Sequence, residues 1–434
     1  MSDPLIGGIG FALVVALLAA RVPVAISMGL VGALGYGVVY GFSTLGFVLG
    51  RSVFEAVSPV SLSVVPLFVM MGVFAAHGGL SRSLYNMVAS MVGHWRGGLA
   101  VSTIGASAIF GAVCGSSIAT AATIGRIAMP EMRRLGYDDS LASASVAAGG
   151  TLGIMIPPSI MFVVYGLMTE TSIGELFIAG ILPGIVGTVL YMLAVNWTTW
   201  RHPRLGPPGP RHSWRERVKC LAEVWNVVLL FGVVLGGLYV GLFAPTEAAS
   251  VGAFGAIVLA AAARRLSLRV LRAAFVETAM TTGMIFFILV GATIFNYFID
   301  ATGLTQSLIR AVEELGLGRY WVLVVLCVFY VFLGCLMDSL SMILLTLGSV
   351  FPLIKALGFD PIWFGVVLVT LGEIGTITPP VGMNLFVLSA TVPNLPLQTV
   401  VRGILPFVSA DCIRIAILFA FPALATWLPS TMYK

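Results

Sequence analysis

Charge is what this sequence has least of. Asp, Glu, Lys and Arg make up 9% of its 434 residues, against 59% hydrophobic. A water-soluble domain carries roughly 25% charged residues, so the composition excludes a soluble enzyme and indicates a polytopic membrane protein. Lysine occurs only as Lys219, Lys355 and Lys434. None follows a glycine, so there is no Gly-Lys phosphate loop and no ATP hydrolysis by that route. His77, His94, His202 and His212 form no His-Glu-x-x-His pair, and no Gly-x-Ser-x-Gly elbow is present, which gives an intramembrane enzyme little to stand on. Cys114, Cys220, Cys327, Cys335 and Cys412 have neither metal nor redox spacing and are expected to be free thiols. The net charge of +5 sits in loops between apolar runs. There it orients helices rather than binding nucleic acid. The first residues carry no basic n-region, so the first apolar run is expected to be a retained helix.

What is present is an interruption, made twice. The apolar segment around 363–390 contains Gly372, Glu373, Gly375, Thr376, Thr378 and the pair Pro379-Pro380. Proline has no N–H, so each pair removes two helical hydrogen bonds and frees carbonyls one turn earlier. In hydrocarbon such carbonyls are tolerated only against protein, water or an ion. A kink filled by Ser or Thr hydroxyls is the plain alternative for a single helix. Gly150, Gly153 and Pro157-Pro158 repeat the same spacing 222 residues earlier. Met129-Pro130 and Leu135-Gly136-Tyr137-Asp138 match Phe351-Pro352 and Leu357-Gly358-Phe359-Asp360 at that offset, and Gly180 matches Gly403 at 223. The chain thus reads as two homologous halves, 1–200 and 224–434, joined by a basic cytoplasmic connector at 201–223. Paired Gly/Pro breaks in corresponding segments point to a transporter's central binding site.

Two further segments, about 99–129 and 320–353, are longer than one crossing needs. Each has a small polar middle: Gly115-Ser116-Ser117 with Thr120, and Asp338-Ser339 with Ser341. Either is a single Ser-rich helix or a re-entrant hairpin. With the connector in the cytoplasm, hairpins place Arg21, Arg82, Arg96, Arg133, Arg134, Arg264 to Arg272 and Arg402 inside. Only Arg51, Arg310, Arg319, Lys355 and Lys434 fall outside. The positive-inside rule therefore favours two hairpins, halves of opposite orientation and both termini outside. The expected fold is all-α and polytopic. It has two inverted-topology repeats, each with a re-entrant hairpin and a broken helix (about 139–167 and 363–390).

At Gly115 to Gly125, Met155-Ile-Pro-Pro-Ser159, Leu357-Gly-Phe-Asp-Pro361 and Thr378 to Leu385 the sequence resembles the large membrane subunit, DctM type, of tripartite ATP-independent periplasmic (TRAP) transporters. The resemblance covers essentially the whole chain. It resembles sodium-coupled dicarboxylate symporters more distantly. Their hairpin tips carry Ser-Asn-Thr, whereas the tips here read Gly-Ser-Ser and Asp-Ser-Leu. The resemblance implies sodium-driven uptake of an organic acid across the bacterial inner membrane and an elevator-like, ion-transporter-superfamily mechanism. It also implies a small membrane subunit, expected as a separate polypeptide, and a periplasmic substrate-binding protein.

Na⁺ prefers oxygen ligands, and freed carbonyls and hydroxyls supply them. One ion site is expected at Ser116, Ser117, Gly150, Thr151 and Gly153. A second is expected at Asp338, Ser339, Gly372, Glu373, Gly375 and Thr376. Substrate is expected at Ser117, Thr120, Pro157, Ser341, Thr378 and Asn384, with its carboxylate held by hairpin N–H groups and helix N-termini. No cofactor beyond Na⁺ is called for. Asp338 and Glu373 are ionisable at membrane depth, hence functional candidates. The plain reading for them is pairing with Arg414 or Arg126. A proton-coupled organic-anion carrier or exporter, using them as relays without a binding protein, is the alternative function.

Overall fold

The computed structural model describes residues 3–432. Lys434, expected outside, lies beyond them. Every regular element among the described residues is helical. The first half contains α1 (Asp3–Ala19), α2 (Val24–Tyr40), α3 (Phe42–Val57), α4 (Val64–His77), α5 (Leu80–Val92), α6 (Gly98–Cys114), α7 (Ser117–Arg134), α8 (Asp139–Met155), α9 (Ile160–Thr169) and α10 (Ile173–Arg201). The connector holds α11 (Trp214–Ala222). The second half contains α12 (Trp225–Tyr239), α13 (Pro245–Ala262), α14 (Leu268–Thr302), α15 (Leu304–Glu314), α16 (Arg319–Leu336), α17 (Ser339–Ala356), α18 (Pro361–Ile377), α19 (Met383–Thr391), α20 (Leu397–Ala420) and α21 (Ala423–Thr426). Among the described residues eight helices are long and apolar enough to cross a membrane, and α11 with α12 adds a ninth if that bent pair is one span. The protein is a polytopic, all-helical membrane protein.

Helix bounds recur through the chain. The limits of α7 and α8 reappear in α17 and α18 at 222 residues at both ends. Other pairs follow within a few residues, with one exception. The 35-residue α14 runs unbroken where the first half has α3, a short turn and α4. Pro59 makes that difference, because it cannot continue the hydrogen-bond ladder of α3.

Three local features refine the sequence reading. Residues 42–57 form a regular helix. Helix α14 starts at Leu268, where the Ser267 hydroxyl accepts the Val270 N–H, so Arg269 and Arg272 lie in a helix rather than a loop. The connector is partly helical. Ser213 and Glu216 form a reciprocal capping box that starts α11, a signal present in the sequence as Ser-x-x-Glu.

Each hairpin is closed at its base by a contact of one equivalent residue, Tyr137 in the first and Phe359 in the second. The Leu99 N–H donates to the Tyr137 hydroxyl at 3.1 Å, tying the start of α6 to the end of α7. The chain reverses at Gly115, whose φ of 63° is left-handed and suits glycine. In the second half Phe359, equivalent to Tyr137, meets Tyr320 at the start of α16 with ring centroids 6.1 Å apart. The broken helices lie at the centre. Every residue from Leu141 to Met155 and from Trp363 to Ile377 is buried. Helix α8 packs on both arms of its hairpin, and α18 does the same in the second half. Small residues permit this: neither Gly111 against Gly153 nor Gly334 against Gly375 leaves room for a Cβ. Outside this core, α2 packs on α14 and α4 on α13. All five cysteines are free.

Candidate functional site

Each hairpin tip begins a helix with a polar cap. The Ser116 hydroxyl accepts the Ala119 N–H at 3.3 Å, and the Asp338 carboxylate accepts the Ser341 N–H at 3.1 Å. Both capping residues occupy equivalent positions, so the tips present oxygen atoms and helix N-termini in the same way. Asp338 also accepts the Ser341 hydroxyl at 2.5 Å.

The tips meet the broken helices where the sequence expects. A Cβ on Gly150 would lie 3.1 Å from the Ser117 carbonyl oxygen. One on Gly153 would lie 2.8 Å from Thr120 Oγ1 and 3.4 Å from the Ser116 carbonyl oxygen. In the second half a Cβ on Gly372 would lie 3.0 Å from Ser339 Oγ. The hydroxyls of Thr120 and Ser339 are buried and have no hydrogen-bond partner. Tyr85, Ser107 and Thr305 also have buried hydroxyls without partners, so it is position beside the breaks that distinguishes Thr120 and Ser339.

The breaks themselves are partly filled. Pro157 and Pro158 cannot donate to the carbonyls of Gly153 and Ile154. The Ser159 hydroxyl takes the second of these, at 2.5 Å from Ile154 O. Pro379 and Pro380 cannot donate to Gly375 and Thr376. There the Thr378 N–H reaches Gly375 O at 3.2 Å, and the Thr378 hydroxyl donates to Ile374 O at 2.6 Å. So local hydroxyls and amides fill part of each break, and the carbonyls of Gly153 and Thr376 lose their helical donors. The Thr376 hydroxyl donates to Glu373 O at 2.8 Å, and the Thr151 hydroxyl to Ala148 O at 2.8 Å. Both Pro-Pro bonds are cis.

Ser117 and Asn384 come together across the halves. Ser117 Oγ donates to Asn384 Oδ1 at 2.9 Å, and Asn384 Nδ2 lies 2.6 Å from Ser117 Oγ and donates to Ala147 O at 3.1 Å. Asn384, fully buried on α19, thus pins the first hairpin tip and α8 to the second half. Pro157 is buried at the first break, while Thr378 lies half-buried at the second. Ser341 is occupied by Asp338.

Glu373 is fully buried and forms an ion pair with Arg414. Arg414 Nη2 also lies 2.8 Å from Asp411 Oδ1, and Asp411 Oδ2 accepts the Tyr191 hydroxyl at 2.6 Å. Tyr191 in turn lies 3.2 Å from Thr151 Oγ1. The plain pairing of Glu373 with Arg414 is therefore the arrangement observed. Sequence reasoning missed Tyr191 and Asp411. Asp411 precedes Arg414 by one helical turn within an apolar run, which was a usable signal. Tyr191 had only the repeat offset to mark it.

Comparison with known proteins agrees with this architecture. The profile of the DctM component of tripartite ATP-independent periplasmic transporters matches residues 11–424. The chain is 38% identical to the C4-dicarboxylate TRAP transporter large permease protein DctM of Pseudomonas aeruginosa, over 88% of this chain and 89% of that one. It is 32% identical to the ectoine TRAP transporter large permease protein TeaC of Halomonas elongata, over 98% and 99% respectively. Among solved structures, the Alcanivorax borkumensis YdaH transporter superposes with a TM-score of 0.63 over 99% of this chain and 98% of that chain, at 17% identity, which is a likeness of fold. The chain belongs to the DctM family, the large permease subunits of tripartite ATP-independent periplasmic transporters.

Proposed function

We propose that the protein takes up a small organic acid across the bacterial inner membrane, driven by Na⁺. It acts as the large permease subunit beside a small membrane subunit and a periplasmic binding protein that delivers substrate. The two halves have opposite orientations, and the hairpins enter the membrane from opposite sides. The core of hairpins and broken helices moves as a unit against the outer helices.

One observation carries this reading. Equivalent glycine-bearing turns, Gly150 to Gly153 and Gly372 to Gly375, each lie against the tip or arms of a hairpin, beside a buried hydroxyl without a partner. Carbonyls, hydroxyls and helix N-termini converging at a buried break suit a monovalent cation and an adjacent carboxylate. The Na⁺ ligands are assigned to Ser116, Ser117, Gly150, Thr151 and Gly153 in one site, and to Asp338, Ser339, Gly372, Gly375 and Thr376 in the other. Glu373 acts through its ion pair rather than as a ligand. Substrate sits among Thr120, Ser117, Asn384 and Thr378. Members of the family differ in cargo, since the relatives above are named for C4-dicarboxylates and for ectoine.

The test is uptake into proteoliposomes containing the chain, its small subunit and loaded binding protein. At fixed pH, replacing external Na⁺ by K⁺ should abolish uptake. Uptake that follows a proton gradient and ignores Na⁺ would establish the proton-coupled alternative instead. Uptake by the chain alone would refute the tripartite assignment.

A further inference from the structure

The buried polar cluster has a symmetry of its own. Glu373 lies 222 residues after Thr151, and Arg414 lies 223 after Tyr191, the same one-residue slip that separates Gly180 from Gly403. In the first half Thr151 of α8 meets Tyr191 of α10 at 3.2 Å. In the second half Glu373 of α18 meets Arg414 of α20. These are equivalent contacts, neutral in one half and ionic in the other. The Tyr191 hydroxyl joins them by donating to Asp411 at 2.6 Å. The result is a contiguous row of polar contacts from Thr151 to Glu373, in which the Thr151 hydroxyl has to turn from Ala148 O to donate to Tyr191, and Arg414 and Asp411 are joined as an ion pair; all five residues are fully buried. Gly187 makes room for it, since a Cβ there would fall 2.5 Å from Arg414 Nη1.

The ends of the chain are placed alike. Thr151 follows Gly150 and precedes Gly153 by two residues, and Glu373 stands the same way between Gly372 and Gly375. Each end is therefore an anchor inside a turn whose backbone is proposed to bind Na⁺. Hydrogen bonds to charged groups are strong, and a dry interior strengthens them further. Contiguous packing of this kind would let a displacement of one turn bias the other.

We propose that the chain Thr151–Tyr191–Asp411–Arg414–Glu373 couples the two ion sites, so that Na⁺ bound at one break orders the other. The residues are positioning residues; none touches the ion or substrate by its side chain in this role except Thr151, which ends the chain at the first site. The inference rests on the two-site Na⁺ reading. Coupling of this kind changes affinity by roughly 5- to 150-fold.

The experiment measures thermal stability of the purified full chain in nanodiscs as Na⁺ replaces K⁺ at constant ionic strength. Wild type should be stabilised along a sigmoidal curve. Tyr191→Phe removes one hydroxyl and keeps the ring, so it should fold. Its curve should lose the sigmoidal shape, and half-saturating Na⁺ should rise by roughly fivefold or more. Asp411→Asn, which keeps the side chain's shape and an acceptor oxygen, should fall between the two. A sigmoidal wild-type curve with an unchanged Tyr191→Phe curve overturns the coupling and leaves the two-site reading intact. A simple hyperbolic wild-type curve also overturns it. No stabilisation of wild type by Na⁺ overturns the sodium reading itself, and the coupling with it.

Discussion

At the first break Pro157, Pro158 and Ser159 are buried, whereas at the second Pro379 and Pro380 are exposed. The hairpin tips differ in the same sense. Ser117 exchanges hydrogen bonds with Asn384, while the equivalent Ser339 hydroxyl has no partner. Beneath them, equivalent helix pairs are joined by Thr151 and Tyr191 in one half and by Glu373 and Arg414 in the other. Two copies of one backbone plan are thus held by different bonds. The first is held by neutral hydrogen bonds that reach into the second half, with the Thr120 hydroxyl left without a partner. The second relies on a buried ion pair and leaves its tip hydroxyl free. The outer sides differ as well. A cavity of about 590 Å³ beside the first break is walled partly by Met87 and Met91 of α5 and Phe231 of α12. Its counterpart beside Pro379, about 520 Å³, has no wall from α15. The recurring helix bounds set a common backbone plan, while side chains set how each half is bonded.

The comparison can be broken most sharply at the ion pair. Arg414→Gln leaves Glu373 and Asp411 buried without a cation, and should cost ~3–5 kcal/mol, read as a large fall in thermal stability. Thr151→Val, the change at the neutral pair, should cost ~1 kcal/mol. Equal losses would mean that the ionic pair is no more critical than the neutral one. Next come the glycine contacts, where the halves should behave alike. Gly111→Ala and Gly334→Ala each force backbone apart and should cost ~1–3 kcal/mol. A tolerated substitution in one half only would show that its hairpin packs less closely than described.

The tips should separate again, by less. Ser117→Ala strips a partner from buried Asn384 and should cost ~1–3 kcal/mol in thermal stability. Ser339→Ala removes a hydroxyl with no partner and should leave stability nearly unchanged, while weakening stabilisation by Na⁺. A destabilised Ser339→Ala variant with an unaltered Na⁺ response would reverse the contrast.

Much of this was legible before any coordinates. The Gly and Pro spacing carried the breaks, because the missing N–H of proline acts locally and needs no tertiary information. The tips were not legible from their small polar residues alone, which fit a single Ser-rich helix as well; the distribution of basic residues favoured hairpins. Ser117 and Asn384 were both singled out, but their mutual bond was not, since nothing in sequence says that residues 267 apart share a hydrogen bond. The filling of the breaks by Ser159 and Thr378 was likewise hidden, because it depends on side-chain rotamers. The start of helix α14 was hidden, because its basic first turns read as a loop between apolar runs. Tyr191 was invisible for a plainer reason: an apolar helix carries many aromatic residues, and only the offset from Arg414 distinguishes this one.

The central claim is that the two halves are inverted copies, each supplying one ion site. Cysteine labelling tests it most directly. In a background with the five native cysteines replaced, Arg134→Cys and Lys355→Cys lie at equivalent ends of the two hairpins, the last turns of α7 and α17. A membrane-impermeant maleimide should label the first only from the cytoplasm and the second only from the periplasm. Labelling of both from the same side would contradict the inverted arrangement.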